Sequence, residues 1–280
     1  MRINNINNAL SRDLLSIMPI ISNWNTNRTI ADLIFEGWYE AYKNKPFVIF
    51  DTETKGFRDE IIEIGAITVM NNQILNLDGK YYDYSYYMDN NGKRKWEMDS
   101  FAYFVYPSIP EISEFITELT HIDMDLIEAG TKPYAKYPNI TLPDFVTALD
   151  KFIDYIDWKA IVAHNSKFDT GIFKWSIKYF YNDVNRAIND PEHSLTLDKV
   201  KEFFTLEVYD TLGEAQRALT LNPNINHKNS ILSAFFGLPE DDNFGLHRAI
   251  YDVVYSARNF YGLYEYWAST YEFLWIESKY

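Results

Sequence analysis

Cysteine is absent from this 280-residue chain. That excludes disulfides, thiolate metal sites and a cysteine nucleophile together, and leaves carboxylates and five histidines as the available metal ligands. Hard cations are therefore favoured. Long hydrophobic runs are missing too. No stretch approaches the ~20 apolar residues needed to span a bilayer, and Met1 to Ile20 is broken by Asn, Ser, Arg and Asp rather than organised as a signal peptide. The expectation is a soluble, cytoplasmic protein with no membrane partner. Positive charge is scarce as well: 26 Lys and Arg against 40 Asp and Glu leave a net charge of −14. A protein that grips long stretches of nucleic acid by neutralising phosphates should show the opposite sign. What the chain does have is apolar mass. At 47% hydrophobic and 17% aromatic residues, it can bury a full core as one elaborated domain or two small ones.

The apolar run at residues 46 to 50 ends at Asp51, the pattern of a strand buried on both faces that delivers its last residue to a sheet edge. Ile61 to Met70, Lys80 to Met88 and Phe101 to Tyr106 are rich in β-branched and aromatic residues, with Asn91-Gly92 as a turn signal. They read as an antiparallel meander with an excursion at residues 89 to 100. From Glu111 the period changes. Helices are predicted near Ile112 to Leu119, Pro143 to Ile156, Asp169 to Tyr181, Thr211 to Leu219, Ser230 to Phe236 and Arg248 to Trp267. Short strands at Lys159 to Ala163 and Leu206 to Tyr209 interrupt them, which gives an α/β sandwich on a mixed sheet. The polar stretch Asn182 to His193 is the candidate mobile loop. Ahead of the first strand, Ile30, Leu33, Ile34, Trp38, Ala41 and Tyr42 follow Thr29 at helical spacing, as a helix packed on the core or docked on a partner would.

Three segments could carry chemistry. Asp51-Thr52-Glu53 sets two carboxylates two residues apart at a strand end, so both can point the same way and share a cation. Asp190-Pro191-Glu192 has the same spacing but no strand to present it. His164-Asn165-Ser166-Lys167-Phe168-Asp169 runs from a buried strand through a polar turn into a helix, where Asp169 is either a ligand or a first-turn acid matched to the helix dipole. His247-Arg248-Ala249-Ile250-Tyr251-Asp252 opens the last long helix, with small Ala249 and Ser256 flanking Asp252 and leaving room for an ion or a phosphate. His193 and Asp198 repeat the five-residue interval, so spacing alone decides nothing.

The conjunction, Asp-x-Glu, then Asp, then His-x4-Asp, resembles the DEDDh family of DnaQ-like exonucleases. Two further stretches match. Glu118-Leu119-Thr120-His121-Ile122 looks like the family's Leu-Thr-Gly-Ile region with His121 in place of glycine, and Tyr209-Asp210-Thr211-Leu212 looks like the segment after the middle helices. The resemblance covers about residues 46 to 265. It implies a ribonuclease H-like fold, with a helical extension at residues 1–45, the exonuclease domain at 46–270 and a tail at 271–280. It also implies that Asp51, Glu53, Asp169 and Asp252 hold two divalent cations, Mg²⁺ or Mn²⁺, and that His247 is the general base. The sister subclass would place tyrosine where this chain has Arg248.

The activity so implied is 3′-to-5′ hydrolysis of single-stranded nucleic acid, releasing nucleoside 5′-monophosphates in DNA replication or repair, with DNA favoured over RNA and neither excluded. The acidic net charge is compatible with holding only a few terminal nucleotides, with a polymerase or other protein as tether. Lys55, Arg58, Lys167, Lys174, Lys178 and Arg248 supply local positive charge beside the motifs or simply face water. Thr52, Phe57, His164, Asn165, Phe168 and Arg248 are the candidate substrate contacts. Of these, Phe57 and Phe168 would stack bases or floor the site, with core packing the favoured reading of Phe168, and Asn165 would touch the terminal nucleotide or brace its turn. Asp210 is read as a helix N-cap. A non-catalytic adaptor on the same fold, binding nucleic acid or a polymerase, and a two-metal phosphoesterase acting on small phosphates are the competing readings.

Overall fold

The computed structural model describes residues 13–24, 44–57, 59–87, 97–130, 145–191, 193–219, 227–238 and 247–277. Its centre is β1 (Phe47–Thr54), the strand that ends in the first acidic motif. β1 pairs antiparallel with β2 (Ile61–Met70), Phe47 opposite Val69 through Glu53 opposite Glu63, and parallel with β6 (Ala160–Ala163), Phe47 to Ile49 facing Ala160 to Val162. β6 in turn pairs parallel with β7 (Val208–Asp210). On the far side of β2 lie β3 (Gln73–Leu75), β4 (Tyr81–Tyr82) and, further along the same edge, β5 (Ser100–Phe104). The sheet is thus mixed, an antiparallel meander joined to parallel strands, with helices on both faces, as expected.

Alternation along β1 decides which layer each residue meets. Val48 and Phe50 enter one core with α4 (Phe145–Ile156), α5 (Ser166–Tyr179), α6 (Tyr181–Asn189) and α7 (Leu197–Phe203). Phe47 and Ile49 enter the other with α8 (Thr211–Ala218), α9 (Asn229–Phe235) and α10 (Ala249–Glu277). The high aromatic content is spent here. Phe152 stacks on Phe173 with centroids 5.5 Å apart and leans on Phe50 at 5.7 Å, and each fully buried ring contributes roughly 1.5–3 kcal/mol through apolar burial. Residues ahead of Pro46 join this core: Leu14, Ile17, Ile21 and Trp24 are buried, and the Trp24 indole N–H donates to the Leu206 carbonyl at 3.2 Å. The expected helix over Thr29 to Tyr42 and the Asn91-Gly92 turn lie outside the described residues.

Two expectations are corrected. Lys80 to Met88 is no long strand. After Tyr82 the Asp83 carboxylate accepts from the backbone N–H of Ser85 and Tyr86 (2.9 and 3.2 Å), which winds Tyr84–Tyr87 into a 3-10 turn. Asn182 to His193 is mostly helix rather than loop, because Val184, Ala187 and Ile188 form a narrow buried stripe beneath a polar outer face. Among the described residues no helix is long and apolar enough to cross a membrane.

Candidate active site

The period-two pleat that sends Phe47 and Ile49 toward α10 sends Asp51 and Glu53 the same way. Asp252, in the first turn of α10, meets them, and one ligand oxygen from each of Asp51, Glu53 and Asp252 lies within 4.8 Å of the others. Two segments about 200 residues apart therefore converge on one half-buried point. It lies where β1 outruns its pairing with β6, at the carboxyl end of the parallel strands, the usual place for a ligand in an open α/β sheet.

That convergence depends on two residues of β2. Gly65 is opposite Asp51 in register, and a Cβ on it would lie 2.4 Å from the backbone of Ala249 and Ile250. Only glycine lets the start of α10 rest on the sheet at this height. Glu63, opposite Glu53, is buried and accepts from Arg248 Nη2 at 2.8 Å, Arg248 Nε at 3.0 and 3.2 Å, and the Ala249 N–H at 2.9 Å. It both caps α10 and clamps the residue between His247 and Ala249. The guanidinium also lies over the rings of Phe104 and Tyr251, 5.1 and 5.6 Å from their centroids.

Asp169 approaches from the other layer. It is buried in the first turn of α5, and its Oδ1 accepts from both the N–H and the hydroxyl of Thr52 at 3.0 and 2.7 Å. Thr52 thus points away from the cleft. Asp169 is not within the tight trio, yet its charge acts on Asp51 and Glu53. Burial, then repulsion from Asp169, Asp252, Glu53 and Glu63, holds the Asp51 carboxyl well above the usual range. Burial and repulsion from Asp252, Glu63 and Asp169 do the same to Glu53 against the opposing pull of Arg248, and burial pushes Asp169 up to about 7 despite the Thr52 hydrogen bonds. An acidic cluster that resists ionisation is one that a hard divalent cation would relieve, and the all-oxygen donor set suits such an ion.

An open cleft of about 750 Å³ lies against the cluster; Asp51, Asp252, His247, His164 and Asn165 contribute to its walls. His247 is exposed and left-handed, with φ +65°. Partial burial, then the charges of Lys228 and His121, lower its proton affinity below the ordinary 6.5. His121 itself has φ +56° at the C-cap of α2 (Glu114–Thr120), the conformation that makes glycine usual at this place.

The candidate substrate contacts divide. Asn165 is exposed with φ +69°, and its N–H donates to Asp210, which also caps α8 through the Leu212 N–H. Phe57 is 82% exposed just beyond β1, whereas Phe168 is half-buried against the core. His164 and Arg248 have partners inside the protein. The His164 Nε2–H donates to the His227 carbonyl and Nδ1 accepts from the Thr211 hydroxyl, both at 2.9 Å, and burial lowers its pKa to about 4. Of the cations proposed to attract phosphate, Lys55 pairs with Glu60 at 3.4 Å, Lys174 donates to the Trp24 carbonyl at 3.0 Å and Arg58 lies outside the described residues.

Sequence reasoning passed over Glu63, Gly65, Lys228 and Asn229. Glu63 had a readable signal, a lone acid in the apolar run Ile61-Ile62-Glu63-Ile64, since a charge in a buried strand requires a partner. Lys228 and Asn229 had none, because only tertiary packing brings the start of α9 to the cleft.

The sequence matches the exonuclease family RNase_T over residues 48–260. Among individual proteins it is 30% identical over 188 residues to the PolC-type DNA polymerase III of Caldanaerobacter subterraneus subsp. tengcongensis, covering 62% of this chain and 11% of that protein. To the Bacillus subtilis PolC-type polymerase it is 27% identical over 179 residues, covering 60% and 10%. The chain thus spans about a tenth of the length of these relatives. In three dimensions it resembles a 3′-exonuclease solved in recognition of the histone mRNA stem-loop, with TM-score 0.50, 14% identity, and coverage of 90% of this chain and 84% of that one.

Proposed function

This chain belongs to the exonuclease family, among the DnaQ-like 3′-to-5′ nucleases that act on nucleic acid, and from that premise we propose that it hydrolyses the terminal phosphodiester of single-stranded ends, DNA in preference to RNA, and releases nucleoside 5′-monophosphates. The observation that carries this reading is the meeting of Asp51, Glu53 and Asp252 at one point beside an open cleft.

Asp51, Glu53, Asp252 and Asp169 are the residues that would hold two divalent cations, Mg²⁺ or Mn²⁺. Once bound, these would acidify the attacking water and neutralise charge on the departing 3′ oxygen. Thr52 fixes one Asp169 oxygen and so orients the other. His247 takes the proton of the attacking water. Its lowered affinity keeps it neutral, and therefore able to accept, at physiological pH. The net charge of −14 means weak hold on long polymers, and the PolC-type relatives support DNA as substrate and a polymerase as tether.

Purified protein with Mg²⁺ or Mn²⁺, tested on 5′-labelled single-stranded DNA and RNA, is expected to give a ladder of products shortened one nucleotide at a time, faster on DNA. Binding without degradation in either metal would replace this reading with the adaptor.

A further inference from the structure

Among the described residues, the cleft beside the acidic cluster has one Lys or Arg in its wall, Lys228. The backbone on either side of Lys228 is fixed to the site. Ahead of it, the His227 carbonyl accepts from His164 Nε2 at 2.9 Å. After it, Asn229 Nδ2 donates to the Asp252 carbonyl at 2.9 Å and to Ser256 Oγ at 3.0 Å. Asn259 Nδ2 in turn donates to Asn229 O and Oδ1 at 2.9 and 2.7 Å. Lys228 is therefore an exposed ammonium on a backbone tied both to the end of β6 and to the helix turn that presents Asp252. In the same wall, His227 Nε2 is buried with no hydrogen-bond partner among the described residues, a cost that a bound ligand or water would relieve.

We infer that Lys228 is the phosphate contact of the cleft, its ammonium taking a non-bridging oxygen of the bound strand. The inference rests on the exonuclease reading. A cleft lined by Asp51 and Asp252 repels a phosphodiester, and a point charge held beside those acids offsets that repulsion without competing for the metal-binding oxygens. His164 then serves the site by bracing the Lys228 segment rather than by touching substrate. Lys228 is also near enough to His247 for its charge to add to the lowering of the histidine's proton affinity.

The test is Lys228→Met in the full chain, with Lys228→Arg as the conservative partner. Because Lys228 is exposed, both variants should melt with the parent. On a single-stranded oligonucleotide, Lys228→Met should raise KM about tenfold and change kcat far less. The slope of log KM against log salt should become shallower by about 0.7, one phosphate contact on a single strand. The weakening should be uniform across sequences, and Lys228→Arg should restore most of it. Fluorescence anisotropy of the same oligonucleotide in Ca²⁺ should show the same loss of binding, and it reads Lys228 even if no turnover occurs. If the parent degrades nothing in Mg²⁺ or Mn²⁺ but Lys228→Met weakens binding, the exonuclease reading fails and the phosphate contact stands. An unchanged salt slope and unchanged Ca²⁺ binding in Lys228→Met overturn the inference. So does tighter Mn²⁺ binding with unaltered KM, which would make Lys228 a counter-ion of the acids.

Discussion

Glu63→Gln isolates the interaction on which the geometry of the site turns. Glu63 is 2% exposed, Arg248 is 15% exposed, and their contacts are bidentate at 2.8 and 3.0 Å. The amide removes the charge and one acceptor but can still accept from the Ala249 N–H. A guanidinium left unpaired in a buried setting costs about 3–5 kcal/mol, and the retained cap argues for the lower end, about 3. For a domain of this size, at roughly 2–4 °C per kcal/mol, the melting temperature should fall by roughly 6–12 °C. Activity should fall as well, because Ala249 is one turn ahead of Asp252 and Arg248 adjoins His247. Displacement of these groups by about 1 Å costs on the order of 10²-fold in rate. Urea melts and single-turnover digestion measure the two effects. Pairing the variant with Arg248→Met removes both charges, and the double variant should be less unstable than the sum of the singles by about 1–3 kcal/mol. A Glu63→Gln protein within about 0.5 kcal/mol of the parent, or strict additivity in the cycle, would refute the claim that this pair holds α10 in place.

Other consequences can be checked in parallel. His247→Ala should lower kcat by about 10²–10⁴-fold while Mn²⁺ affinity, read by calorimetry, stays close to the parent. At saturating Mg²⁺, which keeps the carboxylates ionised, the acid limb of the parent's pH–kcat profile should have its midpoint below 6.5 and should vanish in that variant. The raised carboxyls of Asp51, Glu53 and Asp169 fix the sign of a stability effect. The folded protein keeps protons that the unfolded chain loses near ~4. The metal-free protein should therefore lose stability as pH rises from there to about 7, the Asp169 value, and Mg²⁺ should restore it at neutral pH. Thermal melts with and without EDTA would show no such loss if the cluster were fully ionised without metal. By the same reasoning Asp51→Asn should raise the melting temperature of the metal-free protein at pH 8 while abolishing activity. Gly65→Ala should destabilise by about 1–3 kcal/mol, since the added methyl meets rigid backbone of α10 rather than a side chain that can rotate away.

What could be read in advance follows from how local the signal is. β1 was legible because an unbroken apolar run ending in Asp-x-Glu needs nothing beyond its own alternation, and α10 because its stripe runs far past one turn. The convergence of Asp51, Glu53 and Asp252 was legible because each lies at the end of such an element. α6 was misread as a loop because a helix that touches the core along three side chains looks polar in sequence. The strand expected to Met88 failed on one side chain, Asp83, whose competition with the ladder cannot be seen from propensities. The internal partners of His164 and Arg248 were hidden for a different reason. Their acceptors, the His227 carbonyl and Glu63, are 63 and 185 residues away, and only the assembled sheet brings them together.

Calorimetric titration of Mn²⁺ into the parent, Asp51→Asn and Asp252→Asn tests most directly whether carboxylates from opposite ends of the chain act as one cage. A shared cage should take about two ions per parent chain, release protons on binding in numbers that grow as pH falls toward 7, and be severely weakened in both variants. Undiminished Mn²⁺ binding in both variants would contradict it.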